Sequence, residues 1–170
     1  MISKPFHAQR RQRLNQMVEG PILLMGMRHV PRNIPMNHLP FRQDSSFLYF
    51  TGCTIPNAAA VIDNGQLFLF VPEPAADDAL WHGKVMTMVE IADFYGAESV
   101  HPRRSLGSFC AKLKTAPKTT PCPDPTQNAE AESITGLSLS FGKEHGSLDL
   151  VEAIILLRRR LETEEITEMR

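Results

Sequence analysis

Asn64-Gly65 separates two apolar runs, residues 58–62 and 66–71, and constrains this chain more than any other feature. A two-residue turn of this kind needs positive φ at both positions, which Asn and Gly accept most readily. The two runs therefore read as paired antiparallel strands. Residues 6–19 place Leu14, Met17 and Val18 at i, i+3 and i+4 with charges opposite, the pattern of a surface helix. Gly20-Pro21 ends that helix. Residues 21–27 read as a buried strand, and 28–40, with Pro31, Pro35 and Pro40, as a long loop. Asp44 or Ser45 can cap a helical turn that Gly52 closes in a left-handed conformation. Residues 76–83 predict a short helix around Leu80 and Trp81, 86–95 a second helix ended by Gly96, and 99–101 a short strand. Pro102 suits the first turn of a helix running to about Leu113. Four prolines within 115–133 predict mostly irregular loop, with a short strand near Cys122. Residues 138–141 predict another strand, and Leu150, Val151, Ile154 and Ile155 another helix. A last helix starts at Thr163, where Glu164 and Glu165 favour its positive end. Its apolar stripe, Ile166 and Met169, shows neither cap nor partner, so the chain reads as cut just inside a following domain. Strands alternating with helices, plus one hairpin, give the α/β class with a mixed β-sheet flanked by helices.

The formal net charge of −1 gives no electrostatic reason to expect nucleic acid or an anionic membrane. The basic clusters at Arg10, Arg11 and Arg13 and at Arg158, Arg159 and Arg160 read as solvated helix faces. The longest apolar runs are about seven residues, short of the ~20 that a membrane-spanning helix needs. The N-terminus lacks an apolar signal core. Cys53, Cys110 and Cys122 suggest neither a disulfide framework nor a zinc knuckle, and a reducing cytoplasmic setting fits them.

Motifs that carry chemistry are mostly missing. No two of the six histidines stand at the i, i+4 spacing of a zinc helix, and no His-Glu-x-x-His occurs. Gly136 to Lys143 imitates a phosphate loop but has five residues between its glycines, and Glu144 where Ser or Thr should touch magnesium. Phe47, Tyr49 and Phe50 read as an aromatic plug in the core. Arg42 and Gln43, a guanidinium beside an amide after the proline-rich loop, suit bidentate fixing of a backbone or carboxylate. An ordinary loop ion pair of Arg42 with Asp44 is the plain alternative. Trp81, the one tryptophan, fits either a core position or a ring presented at an interface.

Several landmarks resemble, in order, the N-terminal domain of the Xaa-Pro aminopeptidases known as aminopeptidase P. Arg10-Arg11-x-x-Leu14 resembles that family's Arg-Arg-x-x-Leu helix. Phe41-Arg42-Gln43-x-Ser45-x-Phe47-x-Tyr49-Phe50-Thr51-Gly52 is similar to its Tyr-Arg-Gln-x-Ser-x-Phe-x-Tyr-x-Thr-Gly run. Residues 56–62 are similar to the strand after it, and Leu80-Trp81-His82-Gly83 to its Ile-Trp-x-Gly. Leu157-Arg158 through Glu164-Glu165-Ile166 and Met169-Arg170 resemble the junction into the catalytic domain, though Leu161 stands where Lys is common and 115–133 matches poorly.

The resemblance implies a creatinase- and prolidase-like N-terminal fold with a ribonuclease H-like motif over 1–157. It also implies a junction at 158–170 leading into a catalytic pita-bread domain. No cofactor is expected in this chain. Two divalent metals, commonly manganese, would sit on Asp, Asp, His, Glu and Glu of the catalytic domain. The implied parent hydrolyses the bond between an N-terminal residue and proline, acts on proline-containing peptides, and assembles as a homo-oligomer, dimer or tetramer. Trp81, Arg42 and Gln43 are then candidates for the substrate entrance or the subunit interface. The alternatives are a stand-alone binding module of the same fold, or the matching domain of a prolidase- or creatinase-like relative.

Overall fold

The computed structural model describes residues 3–34, 37–74, 85–139 and 146–169. In chain order the elements are α1 (Lys4–Met17), β1 (Ile22–Met25), α2 (Ser45–Thr51), β2 (Ala59–Asp63), β3 (Gln66–Val71), α3 (Met88–Tyr95) and β4 (Ser99–Pro102). A single 3-10 turn at Arg103–Ser105 leads into α4 (Leu106–Cys110), followed by β5 (Lys118–Thr119), α5 (Pro125–Thr135), α6 (Leu148–Arg158) and α7 (Thr163–Glu168).

The hairpin forms as the sequence requires. Asn64 and Gly65 take φ of 50° and 79°, and Asp63 pairs with Gln66 across the turn. Strand β1 adds antiparallel to β2 with Ile22 opposite Ile62. Strand β4 adds parallel to β3, its crossover passing through α3, and β5 adds parallel to β1. The mixed sheet therefore has the order β4-β3-β2-β1-β5.

Side chains alternate between the two faces of this sheet. Ile22, Leu24, Ala60, Ile62, Leu67 and Leu69 point to one face and meet Leu14, Phe47, Phe50, Ile91, Leu150 and Ile154 of the helices there. Leu23, Met25, Ala59, Val61 and Phe70 point to the other and meet Leu106, Cys110 and Ala131. Burial on both sides explains why β1 and β2 read as continuous apolar runs instead of alternating ones.

Local capping fixes the short helices. Asp44 Oδ1 accepts from Phe47 N at 2.8 Å, and Gly52 ends α2 with φ 66°. Thr87 and Glu90 form a reciprocal capping box on α3, and Gly96 ends it with φ 63°.

Several expectations need correction. Helix α1 presents only Arg13 of its three arginines to water: Arg10 and Arg11 are 1% and 3% exposed, while Met17 is out at 44%. The helix expected from Pro102 is a 3-10 turn followed by the five residues of α4. The stretch 115–133 holds β5, short of Cys122, and most of a full helix, α5. There the Asp124 carboxylate accepts from Thr126 N and Gln127 N, and Pro125 occupies the first turn, where it lacks nothing. Arg28 grips that carboxylate through Nε and Nη2 at 2.8 and 3.0 Å. Burial alone would raise the Asp124 carboxyl, but Arg28 and the helix N–H groups more than offset it and hold it below the usual carboxylate range. Ser138 and Leu139 are not in a strand; the rest of 138–141, and the helix expected at 76–83, fall outside the described residues. Helix α7 does have a cap and a partner, described next.

Candidate functional site

Two neighbouring side chains on α1 organise one end of the molecule. Arg11 collects three backbone carbonyls: it donates to Phe50 O at the end of α2 at 2.9 Å, to Gly96 O after α3 at 3.3 Å, and to Gly65 O in the hairpin turn at 3.4 Å. Carbonyls at helix C-termini carry partial negative charge, so a guanidinium without a carboxylate is still matched there. Burial draws the Arg11 pKa down to about 10.

Arg10 lies between the rings of Phe6 and Tyr49, 4.5 and 3.8 Å from their centroids. It donates to Tyr49 O at 3.2 Å and through Nε to Glu162 Oε2 at 3.0 Å. Its Nη2 lies 2.9 Å from Glu165 Oε1, an ion pair whose geometry falls outside a directional hydrogen bond, and it is the one buried side-chain polar atom without such a bond among the described residues. Arg13 adds a second ion pair to Glu162. Glu162 and Glu165 are also the two halves of the capping box on α7. The helix that the sequence left uncapped and unpartnered is thus capped by the same carboxylates that fasten it to α1.

His7, one turn before Arg10 and Arg11, places Nδ1 2.9 Å from Tyr49 O. Burial, seconded by the two arginines, holds its pKa below 6.5 despite the bond to Tyr49. The unfolded chain therefore takes the proton first. Stability is full above pH 6.5 and is lost as pH falls through the lowered folded value. Replacing His7 by Asn is expected to flatten that acid-side decline, read as unfolding free energy against pH for both proteins. The His7 ring also abuts Gly52, where an added Cβ would lie 2.8 Å from Nε2. Gly52→Ala should therefore cost about 1–2 kcal/mol for the left-handed backbone alone, and more through displacement of His7. A thermal melt of the variant checks it.

His7, Arg10 and Tyr49 face a cleft of about 720 Å³ whose other walls include Leu48, Met86, Phe94, Tyr95, Leu161 and Glu165. No three His, Cys, Asp or Glu come together as metal ligands among the described residues, so those residues do not fit the dinuclear metal set.

The candidates read from the sequence separate. The Gln43 amide, 6% exposed, is fully committed to the fold. Its oxygen accepts from Met27 N at 2.6 Å and Asp44 N at 3.0 Å, and its nitrogen donates to Cys53 O and Ile55 O, both at 3.2 Å. That uses all four hydrogen-bonding positions of the group. Fixing a backbone bidentately is what Gln43 does, and the backbone is its own. Arg42 beside it is exposed and pairs with nothing among the described residues; Asp44 caps α2 instead of meeting it. Trp81 lies outside the described residues. The aromatic plug is real, with Phe47 and Phe50 fully buried and Tyr49 nearly so. The roles of His7, Arg10, Arg11, Glu162 and Glu165 were missed; the signals that could have found them are the double arginine on one helix turn and the Glu-x-x-Glu spacing before Ile166.

A family model described as "Aminopeptidase P, N-terminal domain" matches residues 7–120. Over 77 residues the chain is 38% identical to "Probable Xaa-Pro aminopeptidase pepP" of Emericella nidulans, covering 44% of this chain and 17% of that protein. Over 74 residues it is 32% identical to the Arabidopsis thaliana "Intermediate cleaving peptidase 55, mitochondrial", covering 43% of this chain and 15% of that protein. The fold is similar to that of Pseudomonas aeruginosa aminopeptidase PepP, with TM-score 0.67 and 23% identity over 78% of this chain and 32% of that one. It is equally similar to E. coli aminopeptidase P solved with the inhibitor Pro-Leu, with TM-score 0.66, 20% identity and the same coverage of each chain. The chain thus spans about a sixth of these curated relatives and about a third of the solved chains.

Proposed function

The chain belongs to the aminopeptidase P N-terminal domain family, and from that premise we propose that it serves as the non-catalytic front domain of a metal-dependent Xaa-Pro aminopeptidase. The observation that carries this reading is the match over residues 7–120 to a domain found in much longer proteins named as aminopeptidases. The parent reaction is hydrolysis of the bond between an N-terminal residue and proline. Its two divalent ions, manganese by preference, are held by polypeptide outside this chain. The domain contributes to a homo-oligomer and shapes the substrate entrance, with Arg42 and Trp81 as the contacting side chains and Gln43 holding the loop that carries Arg42. A reducing, cytoplasmic compartment suits its three unpaired cysteines. No helix among the described residues is long and apolar enough to cross a membrane.

The test compares two lengths of the protein. With added manganese, the protein translated together with its downstream sequence is expected to cleave Xaa-Pro peptides, and residues 1–170 alone are not. Turnover by the short chain would overturn the reading. A stop codon directly after Arg170 would leave a free-standing binding module instead.

A further inference from the structure

The geometry points to the cleft beside Arg10 as the seat of the polypeptide that follows α7 in the parent peptidase, an inference that rests on the reading above. Three observations carry it. The first is composition: Leu48, Met86, Phe94 and Leu161 are 39%, 41%, 46% and 59% exposed, come from α2, α3 and the segments before α3 and α7, and line the one cleft. A shared apolar floor of this kind, rimmed here by Arg158 and Glu165, has the anatomy of a partner surface. A second cleft of about 430 Å³ shares His7, Gly52, Phe94 and Tyr95 with it and extends the surface toward the start of α1.

The second observation is position. Leu161 and Glu165 form a wall of the cleft, and the Arg10 clamp holds α7 against α1 at that wall. Polypeptide continuing from α7 leaves from the cleft itself, at a high effective concentration for docking back into it. The third is length. The match occupies 32% of the solved aminopeptidase chains, so a protein of their size supplies an occupant larger than this domain.

Cysteine labelling tests this in the protein made with its downstream sequence and in residues 1–170. Phe94→Cys and Leu161→Cys report on the cleft, and Val89→Cys, at a position 78% exposed on α3, is the control. Native Cys53, Cys110 and Cys122 are buried with thiols pushed up to about 11, so they react slowly. The expected result is rapid maleimide labelling of all three variants in the short chain. In the long protein, labelling at positions 94 and 161 should slow at least about tenfold, with Val89→Cys unchanged. Equal rates in a long protein that cleaves Xaa-Pro peptides would overturn the docking surface and leave the peptidase reading intact. Slowing without such cleavage would do the reverse. Slowing that appears in the short chain and grows with its concentration would assign the cleft to a second copy and overturn the inference.

Discussion

Replacing Arg10 by Met is expected to lower the unfolding free energy by about 3–5 kcal/mol, the largest effect of any single change at this end of the molecule. The cation is 1% exposed and is shared by Glu162, Glu165 and the Tyr49 carbonyl. Removing it leaves two carboxylates, themselves only 18% and 17% exposed, without their main counter-charge. Arg13 still reaches Glu162 and tempers the loss toward the lower end. Methionine refills the slot between Phe6 and Tyr49, so a cavity adds little and the measured loss reports the charge. Arg10→Lys should recover only part of it, because a point ammonium cannot meet both carboxylates and the carbonyl as the planar fork does. Urea unfolding of wild type, Arg10→Met, Glu165→Gln and the double variant forms the cycle that isolates the pair. A loss under about 1 kcal/mol for Arg10→Met would place this clamp with ordinary surface ion pairs. Since α7 hangs on Arg10, the same variant should also expose the segment around residue 162 to protease before the rest of the domain.

The clamp shows which parts of this fold were legible in the sequence. Hairpin β2–β3, the Asp44 and Gly52 caps of α2, and the Gly96 end of α3 were all readable, because their signals lie within a few residues of the structure they specify. Arg10 and Arg11 of α1 were misread as solvated, as Arg13 is, because charge alone argues for water. The partners that bury them, Glu162 for Arg10 and Gly65 for Arg11, are 152 and 54 positions away. Helix α5 was lost among prolines. A count of breakers treats Pro125 like the others, whereas Asp124 before it makes it a helix start. The parallel pairing of β5 with β1 joins residues 96 apart and leaves no local trace, since two residues are too few for a pattern. Of the candidate site, the amide role of Gln43 was visible in kind, but not that its target is the chain's own backbone. The cleft beside Arg10 draws walls from five separate stretches of sequence and could not be foreseen from any one of them.

Gln43→Ala should cost about 4 kcal/mol, taking each of the four deserted backbone groups at the bottom of the ~1–3 kcal/mol range for a polar group left unsatisfied. The four groups are Met27 N, Asp44 N, Cys53 O and Ile55 O, and together they tie the end of β1 to both sides of α2. The amide also lies against Gly26, where an added Cβ would stand 3.1 Å from its oxygen and 2.7 Å from Ala58 O, so position 26 has no room for a side chain beside it. Gln43→Glu separates hydrogen bonding from packing, since its shape is the same. Its carboxylate keeps the two N–H donors but turns an oxygen toward Cys53 O and Ile55 O. At neutral pH this variant should be at least as unstable as the alanine. Burial and the facing carbonyls raise the folded pKa of the new acid above its unfolded value, so its deficit should shrink as pH falls and the protonated acid regains one donor. Urea unfolding of both variants at neutral and mildly acidic pH decides the matter. A deficit in Gln43→Glu that stays constant over that range, or a loss under about 1 kcal/mol in Gln43→Ala, would mean that water serves these four groups as well as the amide does. The loop bearing Arg42 would then be held by something other than Gln43.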